Sequence, residues 1–336
     1  MQQLQQQRPL SRAGRSVSAI GLGTWQLGAD WGEVEEGDAL AVLDAAVTDG
    51  VTFLDTADVY GDGRSEQLIG TLLAAHPGHG LTVATKMGRR APQEPSSYTP
   101  ANFRAWTDRS RRNLGVETLD LVQLHCPPSA VIDSGATYDA LDALVADGAV
   151  AAYGVSVETC DQALAAIARP GVASVQIILN PFRLKPLERV VPAAAAAGVG
   201  IVARVPLASG LLSGRYDAAT TFAADDHRTY NRRGEAFDQG ETFSGVDYAV
   251  GLEAAAALAQ ALPDGVPLPA ATLAWIASRP GVSTVIPGAR SVAQARANAA
   301  AAALLEPGSG FDVEAFDAVV RATYDAHLRG AVHDRW

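Results

Sequence analysis

The sequence predicts a (β/α)8 barrel with an N-terminal β-hairpin and extra C-terminal helices. Three observations carry this. Short apolar, β-branched runs alternate eight times with Ala-rich amphipathic segments of helix length, and right-handed βαβ units repeated in this way close on themselves. Three consecutive runs end in a polar side chain: Asp55 after Val51–Leu54, Lys86 after Leu81–Thr85, and His125 after Leu119–Leu124. The carboxyl ends of parallel strands are where such a barrel keeps its chemistry. Finally, Gly21-Leu22-Gly23 runs into Thr24-Trp25-Gln26 with no third glycine, which argues against an open dinucleotide-binding sheet.

In chain order, residues 1–7 read as a disordered Gln-rich tail of one domain spanning 1–336. Residues 8–19 alternate polar and apolar around Ala13-Gly14-Arg15 and read as the hairpin. Strands are expected at 19–25, 51–55, 81–86, 119–124, 150–155, 174–178, 200–203 and 282–286. Helices are expected at 37–49, 65–75 (Ser65 as N-cap), 100–114, 136–146, 159–168, 186–197, 247–261, 267–278, 291–303 and 312–328. The polar stretch 206–245 has no periodicity, and a loop that long in a compact domain is usually functional.

The chain has 336 residues, 48% hydrophobic and 19% charged, with a net charge of −11. This composition is that of a soluble globular enzyme and lacks the basic stripe of a nucleic-acid binder. Two cysteines, Cys126 and Cys160, cannot build a disulfide framework or a zinc site, so no metal is expected and a reduced, cytoplasmic setting is. No apolar run reaches the roughly 18 residues of a membrane span, and the first residues lack the apolar core of a secretory signal.

The motifs then resemble the aldo-keto reductase family from about residue 8 to about residue 305. GLGTW at 21–25, DTADVYGDGRSEQLIG at 55–70, TK at 85–86, LH at 124–125, GVS at 154–156, Gln176 with Asn180-Pro181-Phe182, PLASGLLSGR at 206–215 and PGARSVAQARAN at 287–298 stand in the family's order. The resemblance implies a catalytic tetrad of Asp55, Tyr60, Lys86 and His125. The residue types suit it: tyrosine as proton donor, lysine drawing its pKa toward neutrality, aspartate holding the lysine, and histidine facing the carbonyl oxygen.

The resemblance also implies a nicotinamide cofactor, NADP(H) with NAD(H) possible. Thr24, Trp25 and Asp55 would lie near its ribose and ring, and Ser156 and Gln176 at its carboxamide. Leu207, Ser209 and Gly210, with the rest of 206–215, would lie along its pyrophosphate, with Gly210 and Gly214 permitting close approach. Gly288, Arg290, Gln294 and Asn298 would lie at its adenosine end. Arg215 and Arg290 are the arginines placed to select a 2′-phosphate, and no acid stands between Pro287 and Asn298.

Three positions depart from the family pattern. Val157 follows Ser156, Ala297 replaces a frequent Glu, and Arg204 stands where an aromatic usually stacks on the nicotinamide. A cation there should favour the reduced cofactor. The expected partner is a small-molecule carbonyl, an aldehyde, ketone or sugar. The same barrel also admits a redox-sensing protein similar to potassium-channel β-subunits, or a sugar dehydratase. Trp31, Met87, Tyr98, Trp106 and Cys126, and the tail residues His333 and Trp336, are candidates for the substrate-facing loops. Oligomeric state is not legible.

Overall fold

The computed structural model describes residues 5–28, 34–78 and 80–336. Trp31 lies outside the described residues. An antiparallel hairpin, β1 (Gln7–Leu10) and β2 (Arg15–Ser18), comes first. Eight parallel strands follow: β3 (Leu22–Gly23), β4 (Phe53–Asp55), β5 (Thr82–Met87), β6 (Leu121–His125), β7 (Tyr153–Ser156), β8 (Val172–Ile178), β9 (Gly200–Arg204) and β10 (Val282–Val285). Each pairs with the next in sequence order. The ends meet through bridges Ile20–Val285 and Gly23–Gly288, with Gly21 N–H donating to Val285 O at 2.8 Å. The wall is therefore a closed barrel.

These strands are short and buried on both faces because helices cover the outside while side chains fill the inside. Phe53, Ala84, Leu121, Ala152, Ala173, Val202 and Ile286 pack in the interior together with Leu10 and Val17 of the hairpin. The hairpin thus plugs the bottom. Gly200 makes room for it: a Cβ there would come within 2.5 Å of Leu10 Cδ1. The expectation of a disordered tail through residue 7 is corrected for the described part. Gln5 is buried and its Oε1 accepts from Ile20 N–H at 3.1 Å, while Gln7 begins β1.

Helices Pro100–Leu114 and Pro186–Ala197 fall at the expected bounds, each opened by proline and closed by a left-handed glycine. Ser65 is not the N-cap of Arg64–Ala75. Left-handed Gly63 takes that position, and Ser65 sits buried in the first turn, bonded to Thr24 and Thr56 hydroxyls. The expected C-terminal helix breaks up as well. Val313–Thr323 is α-helical, Tyr324–Leu328 is a π turn, and Arg329–Val332 is a separate short helix. No described helix is long and apolar enough to cross a membrane.

The helix after β7, Cys160–Ile167, opens with a capping box. Thr159 Oγ1 accepts from Gln162 N–H at 3.2 Å, and Gln162 Oε1 accepts from the Thr159 and Glu158 N–H groups. Thr159→Ala is expected to lower stability by about 0.5–2 kcal/mol. An unchanged urea midpoint would show that the cap contributes nothing.

Candidate active site

Strand ends, not a single loop, bring the chemistry together. Asp55 ends β4, Lys86 is the penultimate residue of β5, and His125 ends β6. Parallel register places neighbouring strand ends on one rim, and Tyr60 returns to that rim from the 3-10 turn Tyr60–Gly63.

Lys86 is the hub. Its Nζ donates to Asp55 Oδ1 at 2.6 Å, to Thr56 O at 2.9 Å and to Tyr60 OH at 3.2 Å. Asp55 Oδ2 receives Gln176 Nε2 at 2.7 Å and Gln123 Nε2 at 3.4 Å. Both oxygens of this buried carboxylate thus face a donor. Burial alone would lower the Lys86 pKa, but the Asp55 charge and the hydrogen bonds to Asp55 and Tyr60 outweigh it and the ammonium is held above its ordinary range.

Tyr60 departs from the expectation that lysine brings its phenol toward neutrality. Burial raises the pKa, and Lys86 pulls it down without overcoming that. The phenol therefore stays protonated at neutral pH. His125 lies edge-on to Tyr60 with ring centroids 5.9 Å apart. Burial, then the charges of Arg89, Lys86 and Arg204, hold it well below the usual histidine range, so the ring is neutral.

A cavity of about 710 Å³ opens above these groups. Asp55, Tyr60 and His125 line it together with Trp25, Ser156, Gln176, Arg204, Leu207, Ser209, Gly210, Arg215, Gly288, Arg290, Gln294 and Asn298. Lys86 and Thr24 do not. Lys86 sits behind Tyr60, and buried Thr24 donates its hydroxyl to Asp55 O at 2.9 Å, supporting the strand end instead of reaching the cavity. Trp25 stacks on Tyr60 at 6.0 Å and meets His227 and Phe237 of the long loop, forming an aromatic wall.

The far end of the cavity is backbone-rich. After β9 the chain takes left-handed conformations at Val205 (φ 52°), Ala208 (φ 47°) and Ser209 (φ 53°). Such angles at non-glycine residues are sterically strained and persist only where the surroundings enforce them. Gly210 (φ 99°) must stay glycine, since a Cβ would lie 2.5 Å from Tyr216 OH. The Ser209 hydroxyl is already committed, donating to Glu241 O and accepting from Phe243 N–H. Gln294 Oε1 accepts from Arg290 N–H, and Asn298 Nδ2 donates to Gly288 O. Among the described residues, neither the Arg215 nor the Arg290 guanidinium has an ion-pair partner.

Arg204 corrects a further expectation. Its guanidinium is not an uncompensated cation. Nη1 lies 2.5 Å from Glu241 Oε1 and Nη2 lies 3.0 Å from Glu158 Oε2. Burial would lower its pKa, but Glu241 and Glu158 hold it well above the ordinary value. The bias toward reduced cofactor expected from Arg204 is offset by these carboxylates. Arg89 completes the network at 3.3 Å from Glu158 Oε1. Cys126 Sγ, Glu158 and Glu241 come within 4.8 Å of one another, as metal ligands do, but the two arginines already neutralise both carboxylates. Burial pushes the Cys126 thiol up to about 12, so it is no nucleophile.

The remaining loop candidates divide. Cys126 is half-buried beside Ser156, with Sγ 3.4 Å from its hydroxyl. Met87 is core, and Tyr98 and Trp106 pack edge-to-face with Phe103 under the barrel helices. Trp336 lies on Arg183, 3.6 Å from ring centroid to guanidinium, and donates to Asp238. His333 bonds Tyr324 OH. Neither tail residue lines the cavity.

The aldo/keto reductase family model matches residues 19–319. The chain belongs to the aldo-keto reductase family. An oxidoreductase of Mycobacterium tuberculosis is 35% identical over 296 residues, covering 85% of this chain and 84% of the relative. Among solved structures, the glycerol dehydrogenase of Gluconobacter oxydans superposes with a TM-score of 0.76 at 27% identity, covering 98% and 97% of the two chains. An aldo-keto reductase of Klebsiella pneumoniae solved with NADPH gives 0.68 at 22%, covering 94% and 95%. The chain is accordingly an oxidoreductase of a nicotinamide-using family on a (β/α)8 barrel.

Proposed function

We propose that this aldo-keto reductase is an NADPH-dependent reductase of a small aldehyde or ketone, with Tyr60 as proton donor. The observation that carries the reading is the Asp55–Lys86–Tyr60 chain of contacts at the floor of the cavity, with neutral His125 beside the phenol. The cavity suits the cofactor on its own evidence: it is about 710 Å³, glycines Gly210 and Gly288 line it, and so do Arg215 and Arg290, which have no ion-pair partner among the described residues. When bound, the cofactor supplies a hydride to the carbonyl carbon.

The protein's part is the proton and the charge. As the carbonyl oxygen gains negative charge, Tyr60 O–H donates to it and the product leaves as an alcohol. Lys86, one hydrogen bond behind, stabilises the phenolate that remains, and Asp55 keeps the ammonium fixed. His125, neutral and on the other side, donates a hydrogen bond to the same oxygen. Ser156 and the Gln176 Oε1 acceptor, both on the cavity wall, would take the carboxamide, since Gln176 Nε2 is committed to Asp55. A panel of aldehydes, ketones and aldoses assayed with NADPH tests the reading. Cofactor that binds but is oxidised by no carbonyl would refute it, and dehydrated sugar products would replace it with an elimination.

The preference for the phosphorylated cofactor rests on Arg215 and Arg290. A charge-assisted contact contributes roughly 1.5–3 kcal/mol, so one arginine gives on the order of a tenfold to hundredfold preference. Fluorescence titration is expected to show NADPH binding tighter than NADH by that factor, with Arg290→Ala or Arg215→Ala narrowing the gap. Equal wild-type affinities, or a ratio unmoved in both variants, would remove the arginines from this role.

A further inference from the structure

The protein carries a net charge of −11, yet five arginines line the cavity against two acids, Asp55 and Glu241. Most of this charge is accounted for. Lys86 cancels Asp55, Glu241 and Glu158 share Arg204, and Asp226 holds Arg228. Arg215 and Arg290 also line the cavity and have no ion-pair partner among the described residues. At the reacting end Arg89 is held more loosely than Arg204. Among the described residues it has one ion-pair contact, the 3.3 Å approach to Glu158 Oε1, and Glu158 turns its other oxygen to Arg204 at the closer 3.0 Å. The Arg89 side chain is 26% exposed, against 7% for Arg204, and Arg89 lines the cavity.

We propose that the substrate of the reductase described above carries a carboxylate, and that Arg89 receives it while Tyr60 and His125 hold the carbonyl oxygen. The inference rests on that reading. A guanidinium fork matches a carboxylate in plane and spacing and is more weakly hydrated than an ammonium. A hydroxyl offers one acceptor to a fork of donors, and a phosphate dianion would need a second cation where Arg204 is already engaged. Glu158 is held below its ordinary pKa by Arg204 and Arg89 against burial, so its charge is divided between the two arginines. The substrate class is a short oxo-acid, and the product is the corresponding hydroxy acid.

The test compares succinate semialdehyde with butanal, using NADPH and initial rates, in wild type, Arg89→Met and Arg89→Lys. The acid is expected to show a kcat/KM at least about tenfold above the neutral aldehyde in wild type, with the ratio falling to about one in Arg89→Met and partly kept in Arg89→Lys. A wild-type ratio of one or below, or a ratio unmoved in Arg89→Met, overturns the proposal and leaves the reductase reading standing. A protein that binds NADPH but reduces neither aldehyde overturns both. Should Arg89→Met fail to fold, competitive inhibition of the wild type decides: butanoate must bind at least about tenfold tighter than butanamide, and equal or weaker inhibition overturns the proposal.

Discussion

Tyr60→Phe lowers kcat for carbonyl reduction by roughly 10²–10⁴-fold, the range of general acid catalysis, and leaves NADPH affinity within a few-fold of wild type. The substitution deletes one oxygen and nothing else. The Trp25 stack on the ring and the edge-on contact of His125 remain, so the aromatic wall keeps its shape. The proposed proton source is lost, and so is the only hydroxyl among the described residues that Lys86 Nζ reaches, at 3.2 Å. Because the phenol is raised by burial, it enters the reaction protonated at neutral pH, and the loss should appear across the neutral range. Steady-state kinetics with a fluorescence titration of cofactor check both halves. Turnover within a few-fold of wild type would remove Tyr60 from the role.

Lys86→Met is expected to cost about 3–5 kcal/mol of folding stability, the range for removing one partner of a buried ion pair. Both side chains are almost wholly buried, and Nζ lies 2.6 Å from Asp55 Oδ1. Methionine fills the volume but leaves the carboxylate with only amide donors. The sign with pH follows from the direction of the shift. Lys86 is raised above the ordinary lysine value, so its contribution is complete at neutral pH and is lost only as pH climbs through the folded value. Denaturant unfolding near neutral pH measures the effect. A loss below about 1 kcal/mol would place the pair among those whose desolvation offsets their attraction. The companion Asp55→Leu/Lys86→Met double variant should be less destabilised than Lys86→Met alone, since no charge is then left buried.

Much of this was legible in the sequence. The barrel strands are apolar runs bounded by turn residues, and period and length suffice to find them. Asp55, Tyr60, Lys86 and His125 were visible because strand ends carry chemistry and the motifs stood in order. Arg89, Glu158 and Glu241 were missed for different reasons. Arg89 lies three residues past Lys86 and Glu158 two past Ser156, so adjacency to a strand end was an available signal. Glu241 comes from the long loop, 37 positions after Arg204 in the numbering, and only folding brings the two together. The π turn at Tyr324–Leu328 could not be read either, since helical periodicity continues through it. Tyr98 and Trp106 misled because an aromatic side chain near a loop fits core and pocket equally well.

One feature of the wall bears on the ligand that lies along it. Seven of the eight strands have three or more residues, but β3 has two, and the ring is joined on that side by isolated bridges at Ile20–Val285 and Gly23–Gly288. Local opening is cheapest where backbone pairing is thinnest, so the hoop has a seam. Gly23 and Gly288 both face the cavity. A molecule lying across them bridges the two lips of the seam, and whatever binds the closed ring but not the open one stabilises it by mass action. Occupancy of the cavity is in this way expected to favour pairing across the seam.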